Sequence, residues 1–137
     1  MADSEHPKLG RILWHDLTVD DPGPLRPFYK AVAGWETRPH PMPEWDDYDV
    51  LASDPRAGAA SGEVAPECVA GLCHARGSNA NIPPVWLMYV QVDDAVAAAR
   101  AAQDHGGTVL DGPRSMGGGT FAVIRDPAGA IFAVFSS

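Results

Sequence analysis

The strongest constraint on the fold is a pattern that occurs twice in the chain. When "WHDLTVDDPGPLRPFYKAVAGW" is laid over "LMYVQVDDAVAAARAAQDHGGT", the two VDD triplets coincide and Gly34 falls on Gly107 without a gap. Farther on, "YDVLASDP" (48–55) matches "FAVIRDP" (121–127) after a slip of one residue. Internal repeats of this kind mark repeated supersecondary units. Chance similarity between two strand–helix units is the alternative, but the ungapped spacing favours a true repeat.

Copy one predicts a strand, a helix and three more strands. Alternating β-prone residues at 11–19 precede a helix whose apolar side chains recur at i, i+3, i+4 and i+7. Asp20 or Asp21 is expected to cap this helix, and Gly34 suits the left-handed position that ends it. The apolar helical positions are Leu25, Phe28, Tyr29 and Val32. The later strands are expected near 35–39, 47–53 and 67–75.

Copy two repeats this order. A strand at 85–92 precedes an Ala-rich helix at about 94–105, which Gly106 and Gly107 are expected to end. Its later strands are expected near 108–111, 119–125 and 130–136. The predicted fold class is therefore α+β, built from two βαβββ modules. We expect one domain over residues 1–137, with module one at about 10–76 and module two at about 85–136.

Charge and composition exclude several classes of partner. The formal net charge is -8, and the ten basic residues form no run. Such a chain repels phosphate backbones and anionic lipid, so neither nucleic acid nor a membrane is an expected partner. The acidic N-terminus "MADSEHPKLG" does not resemble a signal peptide, and the two cysteines form no disulfide framework. A reducing cytoplasm is the expected location.

Several of these features resemble one known superfamily. Two βαβββ units, VDD after the first strand of each copy, and the closing "DPAGAIFAVF" are similar to the vicinal oxygen chelate superfamily, which includes glyoxalase I, extradiol dioxygenases and bleomycin-resistance proteins. The resemblance covers about residues 10–136, and "GLCHARGSNANIPPVWLMYVQVDD" resembles an uncharacterised bacterial branch. It implies a curled mixed sheet around a cleft, helices on the outside, and pairing of two chains into a homodimer.

The same resemblance implies where a metal would be bound, and the residues there are unsuitable. Metal-bearing members hold a divalent ion in the cleft on side chains from both modules. The corresponding positions in this sequence are Trp14, Gly71, Leu87 and Ala133. None of these side chains offers the imidazole, carboxylate or thiolate that such an ion needs. We therefore expect no metal and no other cofactor.

The first strand also contains His15, next to the expected ligand position. If Trp14 faces the cleft, strand alternation turns Asp16 and Thr18 the same way and turns His15 toward the helix layer. A structural histidine in the core or at an edge is therefore the favoured interpretation. A ligand role would require a register slip of one residue, which would also turn Leu17 into the cleft.

The same alternation predicts the lining of the cleft. It is an apolar and aromatic hollow with a few polar groups, which suits a small organic ligand. Ala133 also points inward, and Asp16 is the inward acid of the first strand. The predicted ligand-binding residues are Trp14, Asp16, Thr18, Cys73, Leu87, Tyr89, Gln91 and Phe135.

Two functions compete for this cleft. The favoured one is a metal-free protein of the glyoxalase or bleomycin-resistance type that binds an apolar or aromatic small molecule. The rival is a lyase, isomerase or dioxygenase-like enzyme, either metal-free with Asp16 as its catalytic base or with an atypical metal site. An ordinary hydrogen bond that Asp16 accepts from the backbone or from Arg125 is the simpler interpretation of that acid.

Other chemically active residues have open roles. Cys73 is more often a small buried hydrophobe than a reactive thiol, and His74 is interpreted as a histidine at the rim or in solvent. The run "GGG" at 117–119 precedes a strand, so it lacks the helix N-terminus of a phosphate site and predicts a turn at the cleft rim. The cleft lining and a dimer surface are alternative locations for Trp35, Trp45 and Tyr48.

Overall fold

The computed structural model describes residues 8–52 and 66–137, which fall into two structural units. Of the described residues, 16–52 and 66–84 form the first unit, and 8–15 and 85–137 form the second. Strand β1, Ile12–Val19, crosses the boundary between them.

The first unit contains one helix and a four-strand ladder. After β1 come helix α1 (Leu25–Ala33), β2 (Glu36–Pro41), β3 (Asp46–Ala52), β4 (Glu67–His74) and a 3₁₀ turn (Gly77–Asn79). The strand order is β2-β3-β4-β1, in which β1 and β4 are parallel and the other pairs are antiparallel.

The second unit repeats this topology. Its elements are β5 (Trp86–Gln91), α2 (Ala95–Asp104), β6 (Thr108–Met116), β7 (Gly119–Arg125) and β8 (Ile131–Ser136). The order is β6-β7-β8-β5, in which β5 and β8 are parallel and the other pairs are antiparallel. The two βαβββ modules and the α+β class predicted from the repeat are therefore confirmed.

The two helices begin differently although their sequences are aligned. At α2, the Asp94 carboxylate accepts hydrogen bonds from the backbone N–H groups of Val96 and Ala97, which is an ordinary N-cap. At α1, the N-cap is Pro24 and no side chain caps the helix. Asp21 instead accepts a hydrogen bond from Gly23 N at 3.1 Å, so the predicted cap by Asp20 or Asp21 is wrong.

The predicted helix end at Gly34 is confirmed. Gly34 has a φ of 73° and a ψ of 13°, the left-handed conformation that glycine adopts without steric cost. Its N–H donates to the Lys30 carbonyl at 3.0 Å, and the following N–H, of Trp35, donates to the Tyr29 carbonyl at 3.4 Å, which satisfies carbonyl groups at the end of α1.

Helix α2 packs closely on its sheet because its buried residues are small. Ala95 and Ala99 are at most 4% exposed and lie against Ala122, Ile124 and Val134. The buried N–H of Ala95 also donates to the Ser136 hydroxyl at 3.0 Å, which ties the start of the helix to β8.

Helix α1 is different, because none of its residues is buried. Two residues of its apolar periodicity are exposed, Phe28 by 53% and Val32 by 68%. The helix instead contacts β2, where Arg26 Nε donates to Thr37 Oγ1 at 2.9 Å.

Strand β6 is longer than the predicted strand at 108–111. It continues to Met116, and Arg114 pairs with Phe121 and Met116 with Gly119. Register shifts on both sides of Asp111 accommodate the Gly-Pro dipeptide that follows it.

Candidate functional site

Strand register in the second unit places a set of predicted ligand-binding residues on one face. Tyr89 pairs with Ala133, and Gln91 pairs with Phe135. The intervening Val134 packs against α2, so its neighbours in sequence point to the opposite face. Leu87, Tyr89, Gln91 and Phe135 therefore share the face away from α2, as the alternation predicts.

The same face carries an aromatic pair and an arginine. The rings of Tyr89 and Phe121 lie 6.3 Å apart between centroids, at an interplanar angle of 33°. The Arg114 guanidinium lies over the Phe121 ring, with Cζ 4.5 Å from its centroid. We call Tyr89, Asp111, Arg114, Phe121 and Phe135 the aromatic–arginine face.

Asp111 fixes the orientation of the arginine. Arg114 Nε donates to Asp111 Oδ1 at 3.0 Å, and Arg114 Nη2 donates to Asp111 Oδ2 at 2.9 Å. This bidentate hydrogen bonding raises the pKa of Arg114, so the guanidinium over the Phe121 ring stays charged.

The residues of this face differ in depth. Phe121 is 0% exposed and Tyr89 is 4% exposed, whereas Phe135 and Arg114 are half-buried. Gly119 makes room for Phe135, because a Cβ at that position would lie only 2.5 Å from Phe135 Cζ. Phe135 and Arg114 are thus the accessible members, and Tyr89 and Phe121 form the floor beneath them.

Sequence reasoning missed three members of this face. Asp111 is the last residue of the strand predicted near 108–111 and Arg114 lies beyond it, so alternation did not place them on this face. Phe121 lies inside the strand predicted at 119–125, but its direction depends on its pairing with Phe135. Alternation could have located Phe121 once that pairing was known.

In the first unit, register brings the remaining predicted residues together. Asp16 pairs with Gly71 and Thr18 with Cys73. The side chains of Asp16, Thr18 and Cys73 therefore share one face. Asp49 joins them through its own pairing with Gly71. Thr18 is 3% exposed, and Asp16 and Cys73 are half-buried.

The electrostatics of this face make Cys73 unreactive. Burial raises the pKa of the Cys73 thiol far above its ordinary value, and the carboxylates of Asp16, Asp47 and Asp49 raise it further. Since the thiolate is the nucleophilic form, the arrangement supports the interpretation of Cys73 as a small buried side chain.

His74 is held by a buried carboxylate rather than free in solvent. Asp47 is 6% exposed, and its Oδ1 accepts hydrogen bonds from Trp45 Nε1 and from the backbone N–H of His74, both at 2.9 Å. His74 Nδ1 lies 3.2 Å from the same oxygen. The His74 side chain is 16% exposed, so part of the imidazole remains accessible to solvent.

The other aromatic residues with open roles lie near α1. The Trp35 ring lies 5.4 Å from the Tyr29 ring, and the Arg26 guanidinium lies 4.3 Å from the Tyr48 ring centroid. Both contacts are within the first unit.

His15 is not packed as the alternation predicts. It is exposed, and Ile12 and Leu13 before it are 49% and 41% exposed. The expectation that His15 packs against a helix layer is therefore wrong, because this half of β1 is open. Trp14, beside it, is half-buried.

The residues at the expected metal positions do not fit a metal ion. Trp14, Gly71, Leu87 and Ala133 have no suitable donor atoms. Within residues 8–52 and 66–137, no three histidine, cysteine, aspartate or glutamate side chains converge as a metal site would require. No chemical step is therefore assigned to a metal.

With this geometry established, comparison with known proteins assigns the family. A family model described as a glyoxalase-like domain matches residues 14–135. The chain belongs to the glyoxalase-like domain family. The resemblance to the vicinal oxygen chelate superfamily is thereby confirmed.

Two curated relatives are similar over most of the chain. CFP32 of Mycobacterium bovis, named as a candidate glyoxylase, is 33% identical over 129 residues, which are 93% of this chain and 44% of that protein. The anthracycline biosynthesis protein DnrV of Streptomyces peucetius is 30% identical over 128 residues, which are 92% of this chain and 46% of that protein. The chain thus spans about half the length of these relatives.

A solved structure shares the fold at low identity. Methylmalonyl-CoA epimerase of Streptomyces coelicolor, in complex with 2-nitronate-propionyl-CoA, aligns with a TM-score of 0.51 and 20% identity. The alignment covers 95% of this chain and 96% of the epimerase. Among the residues that the structure describes, no helix is long and apolar enough to cross a membrane.

Proposed function

We propose that this chain is a metal-free small-molecule-binding protein of the glyoxalase or bleomycin-resistance type, and that its ligand is apolar or aromatic. The observation that carries the proposal is the aromatic–arginine face, where Arg114 is held over Phe121 beside Tyr89. The relative named for anthracycline biosynthesis supports a role with a small organic molecule.

The face has the chemistry that a planar ligand needs. Half-buried Phe135 offers a ring for stacking, which contributes about 0.5–1.5 kcal/mol beyond the burial of area. Arg114 offers a cation whose position Asp111 has already fixed, so little side-chain entropy is lost when a ligand binds. Leu87 and Gln91 share this face, and we propose that Trp14 contributes a further ring.

The remaining predicted contacts lie in the first unit. Asp16, Thr18 and Cys73 stay proposed ligand-binding residues, and their shared face supports that assignment. The Asp16 carboxylate lies close enough to Cys73 to contribute to the raised pKa of that thiol.

A fluorescence titration tests the proposal. The probe is 1-anilinonaphthalene-8-sulfonate, which carries an aromatic ring system and one anionic group. Phe135→Ala should weaken probe binding by roughly 1–3 kcal/mol, because it removes the accessible ring. Phe28→Ala is the matched control, since Phe28 is an exposed phenylalanine on α1. Equal affinity for both variants would place the ligand elsewhere.

We also propose that two copies of the chain pair into a homodimer. Phe28 and Val32 expose apolar area on α1, and exposed apolar patches often mark association surfaces. Analytical ultracentrifugation should show a dimer that Val32→Glu converts to monomer. A wild-type monomer at high concentration would contradict the proposal.

A further inference from the structure

A group of side chains in the first unit carries chemistry that the proposed ligand face does not use. It comprises Trp45, Asp47, His74 and Arg76, at the start of β3, the end of β4 and the turn that follows β4. Asp47 and His74 are 27 residues apart in sequence, and the sheet joins them through hydrogen bonds at 2.9 and 3.2 Å. We call these two residues the Asp47–His74 dyad.

The hydrogen bonds determine which nitrogen of His74 carries the proton. The Trp45 indole N–H and the His74 backbone N–H both donate to Asp47 Oδ1, so this oxygen is an acceptor. His74 Nδ1 lies 3.2 Å from the same oxygen, so we assign the hydrogen of the neutral ring to Nδ1. In a neutral imidazole this leaves the lone pair on Nε2. A buried carboxylate that fixes the tautomer also stabilises the imidazolium formed when Nε2 accepts a proton.

Trp45 connects the dyad to a cation. Its ring lies 6.4 Å from the His74 ring in an edge-to-face arrangement, and the Arg76 guanidinium lies 4.7 Å from its centroid. The turn after β4 supports the same ring, because a Cβ on Gly77 would lie 3.7 Å from Trp45 Cη2. Arg76 is exposed, so an anionic oxygen can approach it from solvent.

From this juxtaposition we infer that the Asp47–His74 dyad is a proton-transfer site for planar compounds with an acidic hydroxyl, namely phenols and enols. The O–H bond of the bound compound breaks, its electron pair stays on the oxygen, and the proton moves to His74 Nε2. The imidazolium is then stabilised by Asp47 and the oxyanion by Arg76. The reverse transfer regenerates the hydroxyl, so the step needs no other reactant.

The experiment uses the intact chain and 4-nitrophenol, a phenol that ionises near neutral pH and absorbs visible light only as the phenolate. Slightly below the ionisation point of the probe, added protein should raise the phenolate absorbance. His74→Gln should abolish the increase. Arg76→Gln should weaken phenolate binding about tenfold, because a charge-assisted hydrogen bond is lost. His105→Gln is the matched control, since His105 is an exposed histidine of the second unit.

A spectroscopic measurement covers the case in which His74→Gln does not fold. In protein labelled with ¹⁵N-histidine, the His74 nitrogen shifts should show a protonated Nδ1 and a bare Nε2. Asp47→Asn should change this pattern, because an amide can donate to the ring where a carboxylate cannot. A bare Nδ1 in the wild type, or a phenolate increase that survives His74→Gln, would overturn the inference.

This inference is independent of the proposed ligand face. Phe135→Ala alters the second unit and should leave the part of the 4-nitrophenol signal that depends on His74 intact. If Phe135→Ala abolished the signal and His74→Gln did not, the probe would be binding on the aromatic–arginine face, and the dyad would have no role.

Discussion

Replacement of Gly119 by alanine tests whether the position of Phe135 depends on the absence of a side chain at the start of β7. The added Cβ would collide with the Ser136 carbonyl oxygen and would lie 2.5 Å from Phe135 Cζ and 2.9 Å from Cε2. The ring can swing away, but Ser136 is held in the sheet by its pairing with Thr120. Part of the clash is therefore with the backbone and cannot relax cheaply.

The expected change in the free energy of unfolding of Gly119→Ala is the sum of two opposing effects. Inserting a methyl group into a packed region costs about 1–3 kcal/mol. Replacing glycine also reduces the conformational entropy of the unfolded chain, which stabilises the folded state by about 0.4–1 kcal/mol. The free energy of unfolding should therefore fall by about 1–2 kcal/mol, which corresponds to a loss of about 3–10 °C in Tm for a domain of this size. Urea unfolding followed by circular dichroism measures it.

A double-mutant cycle with Phe135→Ala separates the ring from the backbone. The Gly119→Ala and Phe135→Ala changes should couple by at least about 0.5 kcal/mol, because removal of the ring relieves part of the clash. Gly118→Ala is the control. It has open space around it but a φ of 84°, so it should be destabilising through backbone strain and should not couple. Equal coupling for both glycines would refute the packing argument.

Three further predictions concern other parts of the chain. Asp94→Ala should lower the free energy of unfolding by about 1 kcal/mol in urea titrations, because it removes the cap of α2. In a Cys68→Ala background, Ellman's reagent should react with Cys73 only slowly until urea unfolds the chain. Since burial raises the folded-state pKa of Cys73, stability should be intact below about pH 8.5. It should fall above that pH by up to about 1.4 kcal/mol per unit, because only the unfolded thiol ionises. Cys73→Ala should remove this alkaline loss.

The repeat and strand alternation predicted much of the fold from local information. Two VDD triplets with equal spacing to a glycine identified the duplicated unit, and alternation oriented residues such as Tyr89 and Phe135 within it. For α1, periodicity identified a helix with an apolar face but not what covers that face, and Phe28 and Val32 are exposed. His15 was misplaced for a similar reason, since its direction was derived from a layer that does not cover this part of β1.

The two groups that sequence reasoning missed share a physical cause, which is long-range register. Arg114 reaches Phe121 because bulges beside Asp111 let β6 continue past a Gly-Pro dipeptide, and no local preference predicts that continuation. Strand alternation also turns the side chains of His74 and Cys73 to opposite faces of the sheet. Yet the Asp47 carboxylate reaches the His74 backbone N–H at the strand end, and this contact brings the imidazole with it. A side chain that bonds to the backbone at a strand end can thus assemble a polar site that the period-two pattern of each strand cannot show.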